Sequence, residues 1–219
     1  IGSFLGIPIS GSLTAKYGSK TMVTLAAIFY PLALINISFA NNTSYLAFSL
    51  FIFGVIGNMF NVSVNTQATA LAKLFDKSII STFHGFWSLA GFVGGLLGGL
   101  FVAKSISTFQ QFITVAIIGW IFLLITKNYL MPDEKSTTSI KKMWTKPSPL
   151  LFQFGLVAFS NMICEGMMFD WSGVYYKDVI HASDTWRTTG YICFMACMTT
   201  GRMFSDKLIN YWGPRKQLM

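Results

Sequence analysis

Charge is scarce in this sequence, and negative charge scarcest of all. Only 11% of the 219 residues are Asp, Glu, Lys or Arg, against 53% hydrophobic; a soluble globular protein carries about 25% charged residues. With a mean hydropathy of +0.55, the deficit points to a polytopic membrane protein and away from a water-soluble domain. Eight acids face sixteen bases, a net charge of +8. On a soluble protein that excess would suggest nucleic acid as a partner. Here the bases sit in short stretches between apolar runs, where the membrane accounts for them, and no nucleic-acid partner is expected. Cysteine occurs three times and histidine twice. No Cys/His cluster has zinc spacing, so no metal is expected. Cys164, Cys193 and Cys197 fall inside apolar runs and are expected as small core residues rather than disulfide partners or ligands. There is no nucleotide-binding Gly-Lys-Ser/Thr loop and no evident nucleophile–base pair, so neither an enzyme, nor a cofactor, nor ATP drive is expected. A signal peptide is also missing. The sequence starts at Ile1 within an apolar run and stops at Met219 after a basic stretch, which reads as part of a longer protein.

What the sequence has in quantity is long apolar runs. Thr21 to Ala40, Tyr45 to Ala72, Ile79 to Ala103, Phe109 to Leu130, Pro149 to Tyr176 and Thr188 to Phe204 read as full spans, and Ile1 to Ala15 as a partial one. None alternates strictly, and all are too long for barrel strands, so the expected fold is an all-α polytopic membrane bundle of about seven helices. If the spans alternate, 13 of the 16 basic residues fall on one side, in the stretches around Lys16 and Lys20, Lys73 and Lys77, Lys127 to Lys146, and Arg202 to Lys216. Lys104, Lys177 and Arg187 fall on the other. The positive-inside rule makes the first side cytoplasmic.

Polar residues inside those runs are the candidate functional ones. Pro149 to Tyr176 has 28 residues, no Lys or Arg, and two acids, Glu165 and Asp170. A carboxylate at the centre of a lipid-facing helix costs on the order of 3 kcal/mol, so these two need water, a partner or a membrane edge. On this helix Asn161, Glu165 and Ser172 share a face, while Asp170 lies about 140° from Glu165. Burial disfavours the charged form of a carboxyl, which makes Glu165 the expected proton carrier, with Asp170 second. Trp171 stands beside Asp170. In the Tyr45 to Ala72 run, Asn58, Asn61, Asn65 and Thr69 recur at helical spacing and form one stripe. It reads either as interhelical hydrogen bonding or as a cavity wall for a hydroxylated solute. His84 and Trp87 open the next run, where Gly91, Gly95 and Gly99 make a ridge of small residues suited to close helix packing.

Two stretches about 190 residues apart repeat a pattern of glycine, bases, a second glycine and a basic tail: GSLTAKYGSK (Gly11 to Lys20) and GRMFSDKLINYWGPRK (Gly201 to Lys216). They resemble the paired signature Gly-x-x-x-Asp-Arg/Lys-x-Gly-Arg/Lys-Arg/Lys of the major facilitator superfamily. The first copy has Gly11, Lys16, Gly18 and Lys20, with Ala15 at the position of the usual Asp. The second has Gly201, Arg202, Asp206, Lys207, Gly213, Arg215 and Lys216, with extra residues before Gly213. HGFWSLAGFVGG and EGMMFDWSGVYYKD resemble the YbjJ-like branch of bacterial facilitators. Gly94-Gly95 stands where that family's antiporter motif has Gly-Pro.

The resemblance implies two pseudo-symmetric helix bundles. Residues 1–131 would form helices 2–6 of the first, 132–148 a basic cytoplasmic linker, and 149–219 helices 7 and 8 of the second with the loop that follows. It implies that both glycine-and-base stretches act as gating loops, with Asp206 pairing to Arg202 or Lys207. The fourth and seventh helices of the family line a central cavity, which places Asn58, Asn61, Asn65, Asn161, Glu165, Asp170 and Trp171 on a solute path. The expected function is secondary active transport of a small polar, sugar-like solute by alternating access, as a proton symporter in the bacterial inner (plasma) membrane. The expected partners are the lipid bilayer, the solute and the proton, with a monomer at full length. Two alternatives stand beside it: an efflux antiporter for amphipathic compounds, and a membrane sensor or scaffold of the same fold that transports nothing.

Overall fold

The computed structural model describes residues 2–133 and 148–213. Seven α-helices run through them: α1 (Gly2–Tyr17), α2 (Ser19–Ile37), α3 (Thr43–Ala72), α4 (Ile80–Ala103), α5 (Thr108–Thr126), α6 (Pro149–Asp178) and α7 (Thr189–Trp212). Short 3-10 turns sit at Lys127–Tyr129 and Asp184–Trp186. The helix starts are readable in the sequence. Asn42 accepts the Tyr45 amide at 2.8 Å before α3. Ser107 and Gln110 form a capping box before α5. Ser148 accepts the Leu151 amide, and Pro149 follows at the first helical position of α6. In each case a side-chain oxygen satisfies an amide that has no carbonyl partner within the helix.

Five of these helices, α2, α3, α4, α5 with its 3-10 turn, and α6, are long and apolar enough to cross a membrane. The other two differ for local reasons: α1 has 16 residues, and the second half of α7 carries Arg202, Asp206 and Lys207. Helix α7 runs eight residues beyond the span expected to end at Phe204, so most of the second glycine-and-base stretch is helix.

Burial is inverted relative to a soluble protein. Ser10, Ser49, Ser63 and Ser88 are almost fully buried, while Phe48, Phe122 and Leu124 are more than 60% exposed. Helices in lipid gain nothing by hiding leucine from leucine-like tails, so small polar residues go between them and large apolar ones face outward. The cysteines follow this logic. Cys164, Cys193 and Cys197, expected in the core, are all exposed on helix surfaces, because the outer surface of a membrane bundle is as apolar as its interior.

The described residues divide into two compact units, residues 2–76 with 107–133, and residues 77–106 with 148–213. In the first, α3 packs against both α1 and α2, and α2 also meets α5. The second is built on α4 against α7, with α6 attached to α7. The α4–α7 pair is antiparallel and close because of the glycine ridge. A Cβ on Gly95 would come within 2.9 Å of the Tyr191 ring, and one on Gly99 within 3.0 Å of the Thr188 hydroxyl; one on Gly91 would overlap the end of Met195. Their neighbours Gly94 and Gly98 face open space.

Candidate functional site

The polar residues of the second unit converge on Arg202. Its guanidinium donates to Glu165 Oε1 at 2.9 Å and to Ser88 Oγ at 2.8 Å, and lies 5.6 Å from the centre of the Trp87 ring. Asn161, one turn before Glu165, donates to the same Oε1 at 3.0 Å. The side chains are 22% exposed for Arg202 and 13% for Glu165. Three helices each supply part of this constellation: α6 the acid and amide, α7 the base, α4 the hydroxyl and the indole. An aromatic cluster adjoins it, in which Phe169 meets Trp87, Tyr191 and Phe194 at centroid distances of 5.6–6.0 Å. Asp170, expected about 140° from Glu165, and Trp171 beside it lie exposed on another side of α6, as the 100° helical step requires. Ser172, expected on the Glu165 face, is buried with no hydrogen-bond partner on its hydroxyl.

One turn along α7, Asp206 is 4% exposed and meets the first turn of α4. Its Oδ2 accepts from the Thr82 amide at 2.6 Å and hydroxyl at 2.8 Å; its Oδ1 accepts from the Ser78 hydroxyl at 2.7 Å and the Ser81 amide at 3.3 Å. Ile79, the residue at the cap position of α4, contributes no side-chain hydrogen bond, so the cap comes from another helix and suits the positive end of the α4 dipole. Burial alone would push the Asp206 carboxyl up; the hydrogen bonds from Ser78, Thr82 and Ser81 outweigh it and hold the carboxyl below its ordinary value. The ion pair expected between Asp206 and Arg202 or Lys207 is therefore replaced. Arg202 points to Glu165, and Lys207 Nζ lies over Phe204. Four residues along a helix is just over one turn, so Arg202 reaches deeper into the apolar segment than Asp206 does.

In the first unit the expected loop shrinks to Gly18, since Gly11 and Lys16 are on α1 and Lys20 is on α2. Gly18 has φ +89° and ψ 151°, a region open in practice only to glycine. A Cβ there would collide with the Asp133 carboxylate. That carboxylate accepts from the Lys20 amide at 2.6 Å and the Thr21 hydroxyl at 2.8 Å. Ala15 replaces the acid of the family pattern, and Asp133 supplies one to this turn from the far end of α5. Gln67 of α3 completes the junction: its amide donates to Ser19 Oγ at 2.8 Å and the Met131 carbonyl at 3.2 Å, and its carbonyl accepts the Met131 amide at 2.8 Å. Gly11 and Gly201 have nothing within 4 Å of a built Cβ, so neither glycine is there for close packing. Gly213 caps α7 with φ +80°. Arg215 lies outside the described residues.

The asparagine stripe splits. Asn58 turns toward Gly6 of α1, its Cβ 3.1 Å from a Cβ built there, and its Oδ1 is buried without a partner. Asn65 donates to Asn61 Oδ1 at 2.8 Å and to the Asn61 carbonyl at 2.9 Å. Asn61, Asn65 and Thr69 line a cleft of about 650 Å³ bounded by α1, the start of α2 and Met131–Pro132. His84 is exposed on α4.

Apolar helices of membrane length, caps lent by distant acids and a charge pair set within apolar segments define an integral membrane protein built around polar constellations. The chain belongs to the major facilitator superfamily, whose family model matches residues 1–219, and is accordingly a multi-pass membrane protein of a transporter family. It is 29% identical over 221 residues to an uncharacterized MFS-type transporter of Yersinia pestis, covering 100% of this chain and 57% of the relative. To an uncharacterized transporter of Sinorhizobium fredii it is 27% identical over 218 residues, covering 97% and 57%. To membrane protein MosC of Rhizobium meliloti it is 28% identical over 219 residues, covering 98% and 52%. The chain thus spans a little over half the length of these relatives. No solved structure matches it.

Proposed function

We propose that this chain is part of a secondary active transporter that moves a small polar, sugar-like solute by alternating access, with the proton as coupling ion. The observation that carries the reading is the Glu165–Arg202 pair at 2.9 Å within α6 and α7, braced by Asn161 and Ser88. Intramembrane ionisable residues are costly and mark ion or solute paths. The pair is electrically neutral while Glu165 is ionised. A proton arriving on Glu165 cancels its charge, removes the attraction to Arg202 and leaves the guanidinium seeking another acceptor. That is one switchable interaction per proton, which is what coupling requires.

In this reading the two halves of the family fold, residues 1–131 and 149–219 with the linker at 132–148 between them, rock about the solute. The full-length protein is a monomer in a bacterial inner membrane. The test is uptake by the full-length protein as a function of pH. Glu165→Gln is expected to abolish the pH dependence of uptake while leaving counterflow exchange; an unchanged pH profile sinks the coupling role. Efflux of amphipathic compounds has one observation in its favour, the Trp87–Phe169–Phe194–Tyr191 cluster beside Arg202. It predicts that Phe169→Ala abolishes export of aromatic cations.

A further inference from the structure

The cleft of the first unit involves none of the residues around Arg202, and its chemistry can be read separately. Its volume, about 650 Å³, falls in the range of small-molecule sites, about 300–1,000 Å³. Its wall includes Ser19, Asn61, Asn65, Thr66, Thr69 and Lys73.

What each group has left to offer follows from its existing bonds. Asn65 spends its amide hydrogens on Asn61, so it presents a carbonyl acceptor. Asn61 accepts on its carbonyl and keeps its amide hydrogens. Thr66 and Thr69 donate to the Val62 and Asn65 carbonyls at 2.8 Å, so each presents an oxygen only. The Ser19 hydroxyl accepts from Gln67 at 2.8 Å and keeps its hydrogen. The remaining set is three acceptors and two neutral donors, plus the Lys73 ammonium. Adjacent hydroxyl groups on a ligand need such a mixture, because each both gives and takes a hydrogen bond. Among the described residues that line the cleft there is no carboxylate. The acid next in sequence to its wall, Asp133, is turned to the Lys20 amide and the Thr21 hydroxyl. Among the described residues no acid forms an ion pair with Lys73, so its ammonium is the positive group of the site.

We infer that this cleft binds a polyhydroxylated anion, hydroxyls to the asparagines and threonines and the negative group to Lys73. A soluble sugar acid carries both features, and so does the glycerol-phosphate headgroup of an anionic lipid. The inference does not rest on the Glu165–Arg202 pair that carries the transport reading, although the family resemblance also places Asn61 and Asn65 on the solute path.

Calorimetric titration of the intact protein in detergent free of phosphatidylglycerol tests it. Gluconate is expected to bind saturably. Glucose, which lacks the charge, and acetate, which lacks the hydroxyls, are expected to bind at least about tenfold more weakly, the loss of one charge-assisted contact. Lys73→Gln should bring gluconate to the level of glucose, and Asn61→Ala should weaken both. Thr69→Val makes the same comparison should Asn61→Ala lower the melting temperature. Lys104→Gln, outside the cleft, should change nothing. Repeating the titration in nanodiscs with and without phosphatidylglycerol separates the sources. Competition by the lipid identifies the headgroup as the occupant, and unchanged gluconate affinity identifies a soluble anion. Absence of saturable gluconate binding in detergent, glucose binding as tightly as gluconate, or indifference to both Lys73→Gln and Asn61→Ala overturns the proposal.

Discussion

A single residue can be held by partners far along the chain, and Arg202 is the sharpest case. Removing one member of a largely buried ion pair strands the other, which costs on the order of 3 kcal/mol. Arg202→Gln and Glu165→Gln are therefore each expected to lower the melting temperature in detergent. The double variant is expected to recover much of the loss, because no unpaired charge remains. Equal and additive losses would mean that the two side chains do not act as a pair. Gly18 makes a second prediction at this scale. Its backbone conformation and the Asp133 carboxylate both exclude a side chain, so Gly18→Ala is expected to cost about 1–3 kcal/mol, measured as a drop in thermal stability. Gly11→Ala, with open space around it, should be close to neutral.

At the scale of the helix, α4 shows how one sequence feature splits by face. Gly95→Ala puts a methyl group 2.9 Å from Tyr191, and overpacking of this kind costs about 1–3 kcal/mol; Gly94→Ala, next to it, is expected within about 0.5 kcal/mol of the parent. Urea or thermal unfolding of the pair in one detergent checks this. The Asp206 cap adds a pH dependence with a definite sign. Its folded carboxyl is held below the ordinary value, so its contribution is complete above the unfolded value of about 3.9 and is lost as pH falls through the lowered folded value. Stability of the parent should fall in acid more steeply than that of Asp206→Asn, which already lacks the charge.

The helices themselves were legible because apolar runs and glycine ridges are local signals. The Glu165–Asn161 face was legible for the same reason: four residues make one turn. Arg202 was visible as a charge but was assigned to Asp206, four residues away, whereas its acid lies on another helix. Gln67, Ser88 and Asp133 carried no signal at all. Each is an ordinary polar residue with partners on other elements 48 to 114 positions away, and no spacing rule reaches that far.

For the whole molecule, the inverted distribution of side chains sets the medium. With Phe48, Phe122, Leu124 and Val157 more than 60% exposed, the protein is expected to stay monodisperse only in detergent or lipid and to precipitate on detergent removal, which size-exclusion chromatography reads directly. The basic asymmetry also predicts an orientation. In a background without native cysteines, cysteine placed at Lys73 should react with an impermeant reagent from the cytoplasmic face, and cysteine at Lys104 from the opposite face. Labelling of both from one side would break the alternation of spans. A temporal consequence follows from where the caps originate. Asp133 is made 112 residues after the Thr21 hydroxyl it holds, and Asp206 is made 124 residues after the Thr82 amide. At about 5–20 residues per second, the ribosome leaves each of these helix starts bare for on the order of 10 s. During that interval lipid headgroups and water are the available partners for those amides, so the nascent protein passes through a stage that its finished form no longer displays.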